Sequence, residues 1–400
     1  MKKMCKKMVS LLLAAVMVLT MTAFASVVYA ADEDSVEADP NFKMGVILVG
    51  DETEGYSAAH IAGVKEAAKE LGLDDSQIIW KYKVPEDSSC YDAAVDLVGQ
   101  GCNMVVGNSY GHQTYLVQAA QEYPDVTFVS MTGDFAAISG CENFKNAFTN
   151  IYESRYVSGV VAGLKLNEMI ENGDIKEDQT KIGYVGAYPY AEVKSGYTAF
   201  FLGVRSVCPS ATMKVIYTNS WASIDLEKEA AESLIADGCV LISQHADTTG
   251  ASTACEKAGV PIVGYNVSMI ATAPTQALTS ASIDWGPYYT YAVKSVIDGT
   301  KIDTDWCKGY DDGADKITEL NDKAIAKGTK EKVKEVEDAI KDGSLHVFDT
   351  STFTVDGKEL DSWKDDNGNE YIKDGYFHES ELHSAPAFAI NIDGIESVEK

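Results

Sequence analysis

Four hundred residues leave room for two or three domains at roughly 150 residues each, and a 46% hydrophobic content can fill a core in each. Acids outnumber bases 61 to 33, a formal charge of −28, so phosphate backbones are repelled and no nucleic-acid partner is expected. The charge is spread along the chain, as on a solvated surface, and does not gather into an acidic tail.

The chain opens on a targeting pattern. Lys2, Lys3, Lys6 and Lys7 precede an apolar run from Met8 to about Ala25, and Val28-Tyr29-Ala30 supplies small residues for a cut before Ala31. Residues 1–30 therefore read as a signal peptide and 31–41 as a linker, which makes the working protein exported, at the cell surface or in the periplasm. The same run, left uncut, is long enough to serve as a membrane anchor, and both readings stand at this point. Seven cysteines remain after Cys5 departs with the signal. None forms a C-x-x-C pair, so zinc and thioredoxin-type redox chemistry lack their spacing. No metal and no cofactor are expected. Cys102, Cys239 and Cys255 sit in apolar patterns and read as buried, inert thiols.

From Met44 short apolar runs alternate with helical periodicity, the pattern of a parallel sheet covered by helices on both faces. Met44 to Val49, Ile78 to Tyr82, Met104 to Val106 and Val126 to Ser130 predict strands; Ala58 to Leu71, Tyr91 to Gln100 and Gln113 to Glu122 predict helices. A second series follows, with strands at Ile182 to Val185, Met213 to Thr218, Val240 to Ser243 and Pro261 to Val263, and helices near 153–170, 192–206, 225–237 and 250–258. Ala93-Ala94 through Gly101-Cys102 aligns with Ala230-Ala231 through Gly238-Cys239 at a constant offset of 137, and Gly45 answers to Gly183 at 138. That correspondence predicts a duplicated lobe. Next come a strand at Leu278 to Ile283, a helix from Tyr288 to Asp298 and a helix from Lys330 to Lys341 that buries Val333, Val336 and Ile340. From Asp349 the chain turns hairpin-like, with an Asn-Gly turn inside Asp366 to Asn369. The expected organisation is a first lobe of 42–150 plus about 270–302, a second of 151–269 plus about 303–350, and a C-terminal strap of 351–400.

In open parallel sheets ligands bind beyond the carboxyl ends of the strands, where helix N-termini and loop amides converge. The loops at those ends run Gly50 to Ser57, Gly107 to His112, Gly186 to Glu192, Asn219 to Ser223, Gln244 to Gly250 and Gly264 to Ser268. They are rich in Tyr, Trp, His, Asn and Asp and contain no lysine or arginine, so a neutral planar ligand fits better than a phosphate. Tyr56 and Trp221 fall at equivalent depths in the two series and can stack on opposite faces of a flat ring; such stacking contributes about 1–3 kcal/mol per base. Asn108, Ser109, His245, Asp247, Asn266 and Asp284 are candidate readers of the polar edge, with Ser57 and Tyr110 beside them. A rival reading uses Gly107-Asn108-Ser109-Tyr110-Gly111 as a G-x-S-x-G nucleophile elbow. It makes Ser109 the nucleophile of an exported hydrolase, with Asp247 or Asp284 and His346 or His378 completing a triad. His378 with His383, and Asp365 with Asp366, read as solvated turns rather than metal or calcium ligands.

Several motifs in order resemble the basic membrane protein group of substrate-binding proteins for ATP-driven importers, which includes purine nucleoside receptors. They are Glu54-Gly55-Tyr56-Ser57 with His60 and Gly63; Tyr152-Glu153-Ser154-Arg155-Tyr156 with Gly159 and Ala162; Asn219-Ser220-Trp221; Gln244-His245-Ala246-Asp247; Gly264-Tyr265-Asn266; and Asp284-Trp285-Gly286-Pro287-Tyr288-Tyr289 with Asp298-Gly299-Thr300. The resemblance runs from about Phe42 to Gly394. It implies an α/β fold of two doubly wound Rossmann-like lobes joined by three crossovers, the type I periplasmic-binding-protein architecture, which closes on a purine base or nucleoside and serves an ABC permease without catalysing a reaction. The family's sandwiching aromatics fall on Tyr56 and Trp221. Its acidic residue after the last second-lobe strand is replaced here by Asn266, a departure at the position the family uses for the ribose. No cysteine follows the signal to carry a lipid. The expected state is a monomer, and a ligand-sensing ectodomain is a further reading the fold permits.

Overall fold

The computed structural model describes residues 39–398. The expected signal segment and most of the linker, and with them the choice between cut and anchor, lie outside the described residues. β1 (Met44–Ile47), β2 (Ile78–Lys81), β3 (Met104–Gly107), β4 (Thr127–Met131) and β5 (Phe144–Thr149) pair in the order β2-β1-β3-β4-β5, all parallel. α1 (Gly55–Glu70), α2 (Ser88–Gly99) and α3 (Gln113–Glu122) connect them. Successive side chains of a strand leave opposite faces, so Val46 and Leu48 enter one apolar cluster and Ile47 the other. A sheet covered on both faces needs such uninterrupted apolar strands.

The chain then crosses into α4 (Ile151–Asn172) and winds a second sheet by the same rule. β6 (Lys181–Gly186), β7 (Thr212–Tyr217), β8 (Leu241–Gln244), β9 (Ile262–Tyr265) and β10 (Ala277–Ile283) take the order β7-β6-β8-β9-β10, with α5 (Ala191–Val207), α6 (Ile224–Ala236) and α7 (Gly250–Ala258) between them. The internal correspondence has a packing cause. A Cβ on Gly45 would meet Leu97 Cδ1 at 2.7 Å, and one on Gly183 would meet Leu234 Cβ at 2.9 Å, so in each lobe the glycine admits the leucine of the helix covering the first strand. Gly101 and Gly238 end those helices at φ +86° and +85°, a region glycine enters without steric cost. α4 and α5 cross closely: a Cβ on Gly159 would lie 2.1 Å from Phe200 O, and one on Gly203 2.1 Å from Tyr156 O.

Lobe boundaries differ from the expectation in the last third. β10 pairs with β9, so 277–283 belongs to the second sheet. The return to the first lobe comes only with α8 (Gly286–Asp298), beside whose start Gly63 of α1 packs so closely that a Cβ would meet Trp285 Cβ at 2.5 Å, and with β11 (Asp305–Lys308), which pairs with β5. A last crossing leads to β12 (Asp315–Ile317), antiparallel to β10. Three crossovers therefore join the lobes, near residues 150, 284 and 310 rather than near 270 and 303. No periodicity in Ala277–Ile283 states which sheet it serves; pairing decides it. β5 escapes a reading by periodicity, because Lys145, Asn146 and Thr149 interrupt its apolar run. Tertiary partners satisfy two of these: Asn146 Nδ2 donates to Ser130 O at 3.2 Å and Thr149 Oγ1 to Asp315 Oδ1 at 2.7 Å.

α9 (Thr329–Lys341) buries Val333 and Val336 against the second lobe. Beyond it, Phe348, Phe353, Tyr371, Phe377 and Phe388 enter the second-lobe core. β13 (Ile372–Lys373) and β14 (Tyr376–Phe377) form a hairpin, and β15 (Ile395–Val398) adds a parallel edge strand to β7. The C-terminal strap is thus anchored chiefly on the second lobe. Among the described residues no helix is long and apolar enough to cross a membrane, and no group of three or more His, Cys, Asp or Glu side chains is placed to hold a metal ion.

Candidate ligand-binding site

The strand-end loops of both lobes enclose one cavity of about 670 Å³. Of the ten predicted ligand residues, Tyr56, Ser109, Tyr110, Trp221, His245 and Asp247 line it. From the first lobe, Glu54 caps α1, accepting the N–H groups of Tyr56 (2.6 Å) and Ser57 (2.9 Å), and so sets Tyr56 at the cavity wall. The Tyr56 ring packs edge-on against His60 at 4.6 Å and against Trp285 at 6.3 Å. His60 in turn stacks on Trp285 and meets the Tyr289 hydroxyl at 2.9 Å; burial holds it neutral, well below the usual histidine range. From the second lobe, Trp221 lies across Tyr188 at 5.2 Å, and Tyr188 stacks on Tyr190. Aromatics of opposite lobes therefore face one space.

The lobes also touch directly. Gly55 N–H, at the start of α1, donates to the Asp247 carbonyl at 2.9 Å, and the Tyr110 and Tyr190 rings meet across the cleft at 6.5 Å. The two lobes are thus in contact across the cleft.

Three predicted residues stand one layer behind the wall. Asn108 Oδ1 accepts Val49 N–H at 2.8 Å while its Nδ2 donates to Ser57 Oγ, tying two first-lobe loops together. Asn266 Nδ2 donates to Asp247 Oδ1 at 2.6 Å. Asp284 does not line the cavity: its carboxylate accepts Gly286 N–H and pairs with Lys316. Nor does the structure bring the nominated triad together. Ser109 Oγ donates to Glu86 Oε1 at 2.6 Å, not to a histidine, and His346 and His378 line a separate pocket of about 240 Å³.

His245 has no ring nitrogen to spare. Arg155, 1% exposed, donates from one guanidinium nitrogen to Gln244 O and reaches His245 Nδ1 at 3.1 Å with the other. Because the guanidinium can only donate, Nδ1 accepts and the proton sits on Nε2, which donates to Glu192 at 2.7 Å. Burial lowers the imidazole's pKa, and Arg155 lowers it further against the pull of Glu192. His245 thus positions the Glu192 carboxylate at the wall. Arg155 also lies 3.6 Å over the Tyr265 ring.

Among the described residues Glu54, Asp134, Glu192 and Asp247 line the cavity, and no lysine or arginine does. Burial, reinforced by Glu54, Glu227 and Glu192, pushes the Asp247 carboxyl well above the usual range, which favours its protonated, hydrogen-donating form. Asp134 Oδ1 and the Tyr56 hydroxyl are buried with no hydrogen-bond partner among the described residues. Buried polar atoms are normally satisfied, so both are candidate ligand contacts. Sequence reasoning missed Asp134, although Thr132-Gly133-Asp134 follows a predicted strand and meets the strand-end rule. Tyr188, Tyr190 and Glu192, inside the loop from Gly186 to Glu192 but not among the predicted ligand residues, line the cavity as well. His383, Ala385 and Pro386 also line the cavity, and no local signal in the tail announces their return.

A family model described as "ABC transporter substrate-binding protein PnrA-like", Bmp, matches residues 44–346. A purine-binding protein of Brucella abortus is 31% identical over 326 residues, 81% of this chain and 88% of that one. A protein of Haloferax volcanii whose name assigns it to glucose binding is 32% identical over 259 residues, 64% of this chain and 62% of that one. Among solved structures, an ABC solute-binding protein from Conexibacter woesei superposes with a TM-score of 0.62 at 20% identity, covering 76% of this chain and 98% of that chain. One from Aeropyrum pernix gives 0.64 at 16% identity, covering 79% and 94%. These share the two-lobed fold. Two wound lobes, three crossovers and a cleft walled by the expected motifs agree with the family match: the chain belongs to the Bmp family of ABC-transporter substrate-binding proteins.

Proposed function

We propose that this chain captures a purine base or nucleoside outside the cytoplasm and presents the closed form to an ABC permease. The observation that carries the reading is the placement of Tyr56 and Trp221, from opposite lobes, on one cavity whose volume of about 670 Å³ suits a small ligand. The two rings grip a planar heterocycle. Asp134, Glu192 and Asp247 take its N–H and amino groups, or donate to its ring nitrogens where protonated, while Ser57, Asn108, His245 and Asn266 hold the loops that carry them. Four acidic side chains and, among the described residues, no lining lysine or arginine work against phosphorylated ligands. The named ligand of the Brucella relative agrees with this reading. Both walls come from one chain, so a monomer suffices, and no chemical step is required of any residue.

Capture works by population shift. A ligand touching both lobes favours the closed state by its differential contacts, to which the Gly55–Asp247 hydrogen bond adds. The test is a thermal-shift screen of bases, nucleosides, nucleotides and sugars. A ligand at about 100 times its Kd adds about 2.7 kcal/mol to stability. Purines should raise the melting temperature and nucleotides should not; a response to sugars alone overturns the proposal.

A further inference from the structure

The family match ends at residue 346, yet the described chain runs on to Val398 and comes back to the ligand cavity, where His383, Ala385 and Pro386 form part of the wall. We infer that this C-terminal segment, outside the region matched by the family model, selects the ligand by size and shape through its 383–386 turn. The inference rests on the reading of the interlobe cavity as the ligand site.

The turn is a built wall, not a loose tail. Phe388, just after it, is 0% exposed and stacks on Phe348 at 4.3 Å. Before it, Glu379 is buried, and its Oε2 accepts two backbone N–H groups from the far side of the turn, Ala387 at 3.1 Å and Phe388 at 2.9 Å. One carboxylate thus pins both ends of the 380–386 excursion. Inside it, His383 Nδ1 donates to the Ala385 carbonyl at 2.6 Å, which leaves Nε2 to face the Tyr371 hydroxyl at 3.4 Å. The imidazole is therefore held in one tautomer and presents its ring, rather than a free nitrogen, as wall. Further on, Ile395–Val398 is hydrogen-bonded in parallel to β7.

Both flanks of the turn are thus fixed to the second lobe, while its tip lies beside Asp305 of β11 in the first lobe, next to His383 and Ser384. A wall carried by one lobe and abutting the other limits the cleft when it closes. Its chemistry is steric and largely apolar: a methyl group, a pyrrolidine ring and an imidazole with its nitrogens engaged. Such a wall discriminates by the bulk attached to the planar ring, and so bears on base against nucleoside. Polar groups elsewhere read the ring edge.

The experiment uses the full chain and two variants, Ala385→Leu, which adds bulk on the cavity side, and His383→Ala, which removes it. Titration calorimetry compares adenine, guanine and hypoxanthine with their nucleosides and with glucose, and the ligand-free melting temperature controls for folding. Fitting or excluding about one methylene in a closed pocket changes affinity about 10-fold or more. Ala385→Leu should therefore change the nucleoside-to-base affinity ratio by about that factor, and His383→Ala should move it the opposite way, with melting temperatures near the parent's. Ratios within about twofold of the parent in both variants overturn the inference. If the parent binds glucose and no purine, the proposed function fails but the wall does not: the variants' glucose affinity then tests it, and an unchanged value in both overturns it.

Discussion

Removing the Trp221 indole tests the sandwich most directly. Its carbonyl accepts Asp247 N–H at 2.9 Å, a main-chain bond that alanine keeps, so the Asp247 loop stays in place. Tyr188 and Tyr190, which pack on the indole at 5.2 and 6.1 Å, retain their mutual stacking. The side chain is only half-buried, which makes the loss to the ligand-free fold small. On the proposed sandwich, substitution removes one stacking face, about 1–3 kcal/mol, or roughly 5- to 150-fold in Kd at 1.4 kcal/mol per decade. Titration calorimetry of Trp221→Ala against the purine that gives the largest thermal shift should show this loss with an unchanged one-to-one stoichiometry. Tyr82→Ala serves as the control, because Tyr82 stacks on Trp80 away from the cavity. A Trp221→Ala Kd within about twofold of the parent, with the ligand-free melting point preserved, would refute the claim that the indole supplies a stacking face.

Closure has its own handle in Gly55. A Cβ there would sit 3.1 Å from Asp247 O and 3.4 Å from Asn266 Cβ, so Gly55→Ala should bias the clamp toward open and weaken ligand affinity about three- to tenfold; small-angle scattering of the liganded variant that matches the parent's closed profile at equal affinity would count against it. Gly159→Ala puts a methyl 2.1 Å from the Phe200 carbonyl oxygen and should cost about 3 kcal/mol by overpacking the α4–α5 crossing, a drop of several degrees in melting temperature that calorimetry either finds or does not. For Glu379, burial raises the carboxyl from 4.5 to about 7, so the folded chain holds more protons than the unfolded one between those values. This contribution is fully present below 4.5 and is lost as pH rises through 7, on the order of a few kcal/mol. Burial lowers His60, His112 and His245, which pull the parent's curve the other way below 6.5. The quantity to read is therefore the stability of Glu379→Gln minus that of the parent, which should grow from about pH 5 to about pH 8; a flat difference rejects the raised carboxyl.

Local pattern was enough for the repeated lobe. Apolar runs at β1, β3, β6 and β8 and the helices between them are set by burial and periodicity, and Gly45, Gly101, Gly183 and Gly238 carry the duplication because each sits where a side chain would clash or strain the backbone. That Tyr56, Trp221, His245 and Asp247 line one cavity was legible for a related reason: a parallel sheet delivers the loops at its strand ends to one place whatever their sequence. Sequence could not tell that Asn108 and Asn266 turn their amides toward neighbouring loops, that Asp284 answers Lys316, or that His245 is held by Arg155 ninety residues earlier. Each of those is a choice among partners distant in the chain. The same holds for β5, whose polar residues become tolerable only once Ser130 and Asp315 are beside them, and for the 383–386 turn, whose position is set by aromatic packing of Phe388 in the second-lobe core. Propensity and periodicity act over a few neighbouring residues and so determine elements and their ends; which polar side chain meets which, and which distant segment closes the cavity, is decided when the packed core brings remote residues within hydrogen-bonding range.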